Sequence, residues 1–302
     1  MTKRTLSFLL TICLLLTMLP GTAMANTVSN MPFAQGNAVP TESEIPLETA
    51  PVNKNITVLH EDEALRQEYE KHFLMSDGSY QVALYNEPVH KLESGKWVEI
   101  DNTLTLRSTR DGNARYVTAN GVADVSFARD FGDQLVTVRQ DDYAVSWGVA
   151  VFSDEISSNK SAALMQPVRA EVTAAELTAY SEEEQKIFAS KATSALQYRG
   201  ALASDADLEY IVTPSRIKEN IILQSRQDIS GYTVTVFTEN LSARLLENRE
   251  IEYYNSDNEV IFTMTSPYMY DSAGELSEEI EVELIDRGDA CYIFMTPNAN
   301  WL

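Results

Sequence analysis

The sequence predicts an all-β protein, mainly antiparallel. It reads as two β-sandwich-like modules joined by a connector with short helices and preceded by a cleaved signal helix. Three observations predict this. From Met75 onward apolar residues recur at every second position in many short runs. Turn-forming clusters separate those runs at intervals of roughly 8–12 residues, as in sandwiches and open barrels. No strand–helix–strand alternation occurs, so a parallel sheet is not expected.

The chain opens with a basic pair, Lys3 and Arg4, followed by an uncharged apolar run from Leu6 to Leu19. Pro20-Gly21 ends that run, and Ala23-Met24-Ala25 is an A-x-A site. This order predicts a secretory signal peptide over 1–25, cut after Ala25. The run is short for a membrane span, which needs roughly 20 apolar residues. Cys13 lies too far from the cut for lipid attachment. No later segment is apolar enough to span a bilayer, so no membrane contact is expected after cleavage. The location expected is secreted and extracellular, or at the cell wall.

Cleavage would leave 277 of the 302 residues. Removing Lys3 and Arg4 from the 23 basic residues leaves 21 against 45 acidic ones, a net charge of −24. Such a chain is repelled by phosphate backbones, so nucleic-acid binding is not expected. Only Cys291 remains, which rules out an intrachain disulfide. The fold must then rest on its core, and a 44% hydrophobic content suffices for one.

Residues 26–58 hold Pro32, Pro40, Pro46 and Pro51 without periodicity and predict a disordered leader. The first β-rich module is expected over 59–152. It begins with a short helix over 61–72, because Leu65, Tyr69 and Phe73 recur every fourth residue behind an acidic first turn. Then Tyr80, Val82 and Leu84 alternate. "SGKWVEIDNTL", from Ser94, reads as the second arm of a hairpin whose turn is Glu93-Ser94-Gly95. Strands follow over Leu104–Arg107, Arg115–Thr118, Asp124–Ala128 and Gln134–Arg139. In "YAVSWGVAV", Tyr143, Val145, Trp147, Val149 and Val151 share one face, while small residues fill the other and predict close approach of another layer.

The connector is expected over 153–200, where Thr173…Glu176 and Ser181…Glu184 form capping boxes before Ala-rich stretches. The second sandwich is expected over 201–302. Its strands include Leu208–Val212, the stretch from Ile217 to Leu223, "GYTVTVF", "EVIFTM" and "EEIEVELID". Turns are expected at Asn255–Asn258, Asp271–Gly274 and Asp286–Asp289.

No motif specifies a reaction. His60, His72 and His90 lack metal-ligand spacing. No G-x-S-x-G elbow, phosphate-binding loop or calcium loop is present. Asp205 and Asp207 lack the Gly and distal Glu of a calcium loop. Cys291 sits in an apolar strand pattern and reads as a small buried hydrophobe. Glu279, Glu281 and Glu283 read as a solvated strand face rather than a glycosidase pair. The Arg287-Gly288-Asp289 tripeptide reads as a hairpin tip. No catalytic residue, metal or cofactor is therefore assigned, and the chain is not expected to be an enzyme. Aromatics offer a carbohydrate platform, with Tyr85, Trp97 and Tyr254 as the candidate ligand-binding residues. Tyr85 and Tyr254 stand out of phase with their strands' main apolar faces.

Three blocks, "HFLMSDGSYQVALYNEPVHKLESGKWVEIDNTL", "DLEYIVTPSRIKENIIL" and "SPYMYDSAGELSEEIEVEL", occur in this order. They resemble the N-terminal region of secreted Gram-positive wall-associated RHS/YD-repeat proteins that carry DNRLRE-type domains. The resemblance covers about Glu61 to Leu302. It implies a non-catalytic β-rich module ahead of long repeats, with any activity far downstream. Here the chain stops at "NANWL" without YD repeats, which leaves open a fragment of a longer protein, a truncated gene product or a remnant, and leaves open whether the second module is truncated at its C-terminus. Expected partners are a cell-wall glycan or that downstream part. The alternatives are a carbohydrate-binding module for wall glycans and a divergent glycoside hydrolase or lyase.

Overall fold

The computed structural model describes residues 10–18, 56–108, 113–152, 171–173, 191–203, 206–224 and 231–301. These contain twenty-three strands and one 3-10 turn (Glu63–Leu65). The first strands are β1 (Leu10–Met18), β2 (Val58–Glu61), β3 (Glu70–Met75), β4 (Tyr80–Leu84), β5 (His90–Glu93) and β6 (Lys96–Glu99). Next come β7 (Asp101–Ser108), β8 (Ala114–Asn120), β9 (Asp124–Ala128), β10 (Val136–Gln140), β11 (Tyr143–Phe152) and β12 (Glu171–Thr173). Then follow β13 (Ser194–Ala203), β14 (Ala206–Val212), β15 (Arg216–Leu223), β16 (Gly231–Glu239), β17 (Ser242–Leu245) and β18 (Ile251–Tyr254). The last are β19 (Val260–Met264), β20 (Tyr268–Tyr270), β21 (Leu276–Ser277), β22 (Ile280–Asp286) and β23 (Cys291–Pro297).

The expected all-β class holds. One sheet runs β12-β13-β14-β15-β1-β19-β18-β17, with β20 beside β1 and β21 beside β20. A second runs β22-β23-β16-β11-β10-β9-β8-β7. Two small sheets, β2-β3-β4 and β5-β6, are separate from them in hydrogen bonding. The stretches before and after residues 153–200 share the second large sheet, because β11 pairs with β16 from Ala144↔Glu239 to Phe152↔Gly231.

The inner faces of the two large sheets form one core. Phe127, Leu135, Val138, Tyr198, Leu208, Tyr210, Tyr232, Tyr253 and Phe262 are fully buried in it. Their alternation along strands produces this: on β14 Leu208, Tyr210 and Val212 point inward. The small face of β11 also does what its residues predict. A Cβ on Gly148 would lie 2.3 Å from the Asp133 carbonyl oxygen, so only glycine lets that loop approach.

Two expected helices are strands instead. Over 61–72 the chain forms the end of β2, the 3-10 turn and the start of β3. Leu65 and Tyr69 are exposed, so the every-fourth-residue stripe is not a core stripe. The period that wins is two, through Lys71, Phe73 and Met75, all buried. Lys71 hid it, because a lysine belongs to that series only when paired, here with Glu99. Residues 10–18, expected inside the signal helix, form β1 in the middle of a sheet. An uncharged apolar run suits a central strand as well as a helix, and periodicity alone does not separate them.

The connector's capping boxes lie mostly outside the described residues. Thr173 ends β12, 191–192 form a turn, and 194–200 belong to β13. The expected leader is described only from residue 56. The hairpin at the opening of "SGKWVEIDNTL" is as expected. Glu93 pairs with Lys96 across Ser94 (φ 49°) and Gly95 (φ 79°), the two positive φ angles of a type I′ turn.

Candidate functional site

The small sheets carry a knot of charges. Arg66 forks onto Glu61, with Nε 2.7 Å from Oε1 and Nη2 3.0 Å from Oε2. The buried His90 has Nδ1 2.6 Å from the Gln67 carbonyl and Nε2 3.3 Å from Glu61 Oε1. Lys71 pairs with Glu99 nearby. Burial raises the Glu61 carboxyl, but His90, Arg66 and Lys71 outweigh it and hold the group at about 2.

Tyr85 follows β4 and lies half-buried at this knot. Burial pushes its hydroxyl up to about 12, with Glu61 and Glu99 adding to the effect. Its ring borders an open groove of about 240 Å³. Pro88, Val89 and Pro214 give that groove an apolar floor, while Asn86, Thr193 and Thr213 supply polar groups. Glu87 anchors one wall by accepting from Arg216 Nε at 2.9 Å. The groove lies between the small sheets and the turn joining β14 to β15.

The other two candidate residues lie elsewhere. Trp97 is half-buried on β6, opposite Leu92. Tyr254 is half-buried on β18, under the Arg244 guanidinium at 4.5 Å from its ring centre. The three thus form no common platform. A closer aromatic pair is Tyr268 and Tyr270, stacked with ring centres 6.4 Å apart, with Lys218 Nζ 5.7 Å from the Tyr270 ring centre. Tyr253 belongs to the core.

The sequence reading missed Glu219. It is fully buried on β15, and Trp147 Nε1 donates to its Oε2 at 2.8 Å, across the two large sheets. Its Oε1 has no hydrogen-bond partner among the described residues. The Tyr210 hydroxyl acts on the same carboxyl without hydrogen-bond geometry. Burial lifts Glu219 to about 7, against the Trp147 and Tyr210 contacts. A cavity of about 10 Å³ lies alongside, lined by Val145, Ile217, Val236, Tyr253 and Met264. The signal was legible: Glu219 occupies the inward phase of Ile217, Ile221 and Leu223.

His60 is exposed, His72 lies on β3, and His90 joins the knot. Among the described residues no group of three or more His, Cys, Asp or Glu is placed to hold a metal ion. Asp207 accepts from the Gly200 amide at 2.7 Å, and Asp205 lies outside the described residues. Cys291 is buried, which raises its thiol, with Asp286 contributing. Glu279, Glu281 and Glu283 face solvent. The Arg287-Gly288-Asp289 tripeptide tips the β22–β23 hairpin, with Arg287 over the Tyr292 ring at 5.1 Å.

With this geometry in place, comparison with known proteins adds the context. Over 223 residues the chain is 25% identical to a wall-associated protein of Geobacillus stearothermophilus, covering 72% of this chain and 77% of that protein. The chain is similar to wall-associated proteins. It is also 22% identical over 319 residues to the tRNA3(Ser)-specific nuclease WapA of Bacillus spizizenii. Over 322 residues it is 21% identical to the tRNA nuclease WapA of Bacillus subtilis strain 168. Both alignments cover 99% of this chain, which spans 12% of either WapA. No family model and no solved structure matches the chain. The expectation that the chain is not an enzyme is corrected here, because relatives aligned with nearly all of it are named nucleases. A stretch without catalytic motifs says nothing about a longer polypeptide to which it corresponds. Among the described residues no helix is long and apolar enough to cross a membrane.

Proposed function

We propose that the chain is an exported, wall-associated β-rich module of a longer WapA-like polypeptide, within the wider RHS/YD-repeat class. The alignment with the Geobacillus wall-associated protein over 77% of its length carries the wall-associated part of this reading, and the alignment of 99% of the chain with 12% of each WapA supports the longer polypeptide. The basic pair, apolar run and A-x-A site at the start of the chain support export. The acidic composition supports solubility outside the cell. The small β2-β3-β4 sheet supports a surface role, since Tyr80, Val82 and Leu84 on its edge strand are all exposed. Cleavage of tRNA, named for the Bacillus relatives, enters this reading as a property of the whole polypeptide.

The test is fractionation of a Gram-positive host expressing the chain with a C-terminal tag. The reading expects tagged protein in the wall and medium fractions, with Asn26 as its first residue by mass spectrometry. Protein held in the cytoplasm and starting at Met1 would overturn it.

A second reading, a wall-glycan site, is favoured by one observation: Tyr85 borders the groove with polar and apolar walls. Glycans are bound by aromatic faces set among hydrogen-bonding groups. Purified wall glycan should retain the protein, and Tyr85→Ala should lower retention severalfold. Trp97→Ala and Tyr254→Ala should leave it unchanged; equal losses from all three would remove the groove as the site.

A further inference from the structure

Strand β1 occupies an unusual place. On one edge it pairs with β15 at eight positions, from Leu10↔Leu223 to Thr17↔Arg216. On the other it pairs with β20, from Thr11↔Tyr270 to Cys13↔Tyr268, and with β19, from Leu16↔Met264 to Met18↔Phe262. It is a central strand, yet every residue of it precedes the expected cut after Ala25. We propose that the slot between β15 and β19–β20 is a strand-acceptor site. Once residues 1–25 are removed, it takes up an extended apolar peptide segment of another polypeptide. This inference rests on the export reading given above.

Two features argue that the slot stays open when β1 leaves. Closing it would require the β17–β19 meander to move toward β15 by one strand spacing, about 4.8 Å. That meander is fastened elsewhere. Asn255 Nδ2 donates to the Tyr143 hydroxyl at 3.1 Å, and Arg249 Nη1 donates to the Ile280 carbonyl at 3.0 Å, both on the second large sheet. Tyr253 and Phe262 are fully buried in the common core. A one-strand shift would withdraw both rings and break both ties. Left empty, the slot would instead bare two facing rows of backbone N–H and C=O groups beside a lining that is apolar except for Glu219, a costly arrangement.

The lining states the chemistry of the occupant. Along β15 the buried Ile217, Ile221 and Leu223 line the slot's inner side together with one buried acid, Glu219, and Met264 and Met269 lie opposite. Of the eight registered positions, 10, 12, 14 and 16 stand opposite Leu223, Ile221, Glu219 and Ile217, and the sequence places Leu10, Ile12, Leu14 and Leu16 there. An occupant therefore carries apolar residues at alternating positions. It has no internal proline and runs antiparallel to both neighbours, so that main-chain bonds supply affinity and the alternation supplies register.

The test uses the full chain with a protease site inserted after Ala25. After cutting, the N-terminal piece should remain bound. A labelled, lysine-tagged peptide of residues 10–18 should then displace it at one per chain. The same peptide with Leu14→Pro should compete roughly tenfold less well, because proline removes a ladder donor from a central strand. Amide exchange at 217–223 and 262–264 should quicken when the piece is washed away and slow again with peptide. Exchange that stays slow in the empty protein means the sheet has closed and overturns the proposal. So does association of empty chains into dimers that excludes the peptide. Should the Leu14→Pro peptide compete equally, the strand site is likewise overturned. Retention of Met1 on exported protein would defeat the export reading alone, since peptide exchange in the cut protein is read separately.

Discussion

The two-sheet core and the small sheets over 58–100 are held by different forces. In the core, large side chains such as Phe127, Tyr210, Tyr232 and Phe262 are fully buried, and polar groups are few. Among the described residues, seven of the eleven exposed large apolar side chains lie between Leu59 and Leu92, so the small sheets keep little apolar surface from water. Their centre is charged, with Glu61, Arg66, Lys71, His90 and Glu99. A three-stranded sheet beside a two-stranded one lacks the area for an apolar core, and paired charges fill the space instead. The lesson is that one chain supports two kinds of interior, and each should fail under different conditions.

The sharpest break is in the core. Phe127→Ala removes a fully buried ring packed 5.4 Å from Tyr210 and should cost about 3–5 kcal/mol, read from the urea midpoint. The small sheets should lose structure only together with the core in that variant.

Glu219 should give the next effect, and it depends on pH. Its carboxyl is raised from 4.5 to about 7, chiefly by burial. Below pH 4.5 it is protonated in both states, and no stability is lost through it. Between 4.5 and 7 the unfolded chain ionises while the folded chain keeps its proton, so stability falls. Above 7 the loss is complete at about 3 kcal/mol. Glu219→Gln keeps an acceptor for Trp147 and should flatten this decline. Urea midpoints at pH 4.5, 6 and 8 check it.

The small sheets should respond in the opposite sense. Glu61 is held at about 2, so its contribution is full above pH 4.5 and is lost as pH falls from 4.5 towards 2. Solvent reaches this knot, which limits the effect to about 1–2 kcal/mol. Amide exchange over 61–90 should quicken at low pH before that of the core does, and Glu61→Gln should remove the difference. The smallest change is Gly95→Ala. No atom crowds the site, but its φ of 79° disfavours a side chain, so a cost of about 1 kcal/mol confined to the β5–β6 hairpin is expected.

The sequence was most legible where local chemistry decides. The turns at Asn255, Asp271 and Asp286 all form, each with its side-chain oxygen accepting an amide two residues on. The strand over Asp124–Ala128 has the bounds its alternation predicts. Legibility failed where a partner far along the chain decides. Lys71 disguised β3 because its mate, Glu99, is invisible locally. Glu219 was legible as an inward residue from its phase, but its partner Trp147, which approaches from the other sheet, was not. Tyr85, Trp97 and Tyr254 could be named as aromatics out of phase or in a turn-flanked strand. Only the fold reveals that a groove borders Tyr85.

The pairing of β11 with β16 sets the order of assembly. The nearest partners, Phe152 and Gly231, are separated by the whole stretch that includes β12 to β15. Both halves must therefore be present before β11 and β16 can pair, whereas β7 to β11 pair with sequence neighbours. Closure across so long a separation is a slow, late step, because its loop entropy is lost before the contacts reward it.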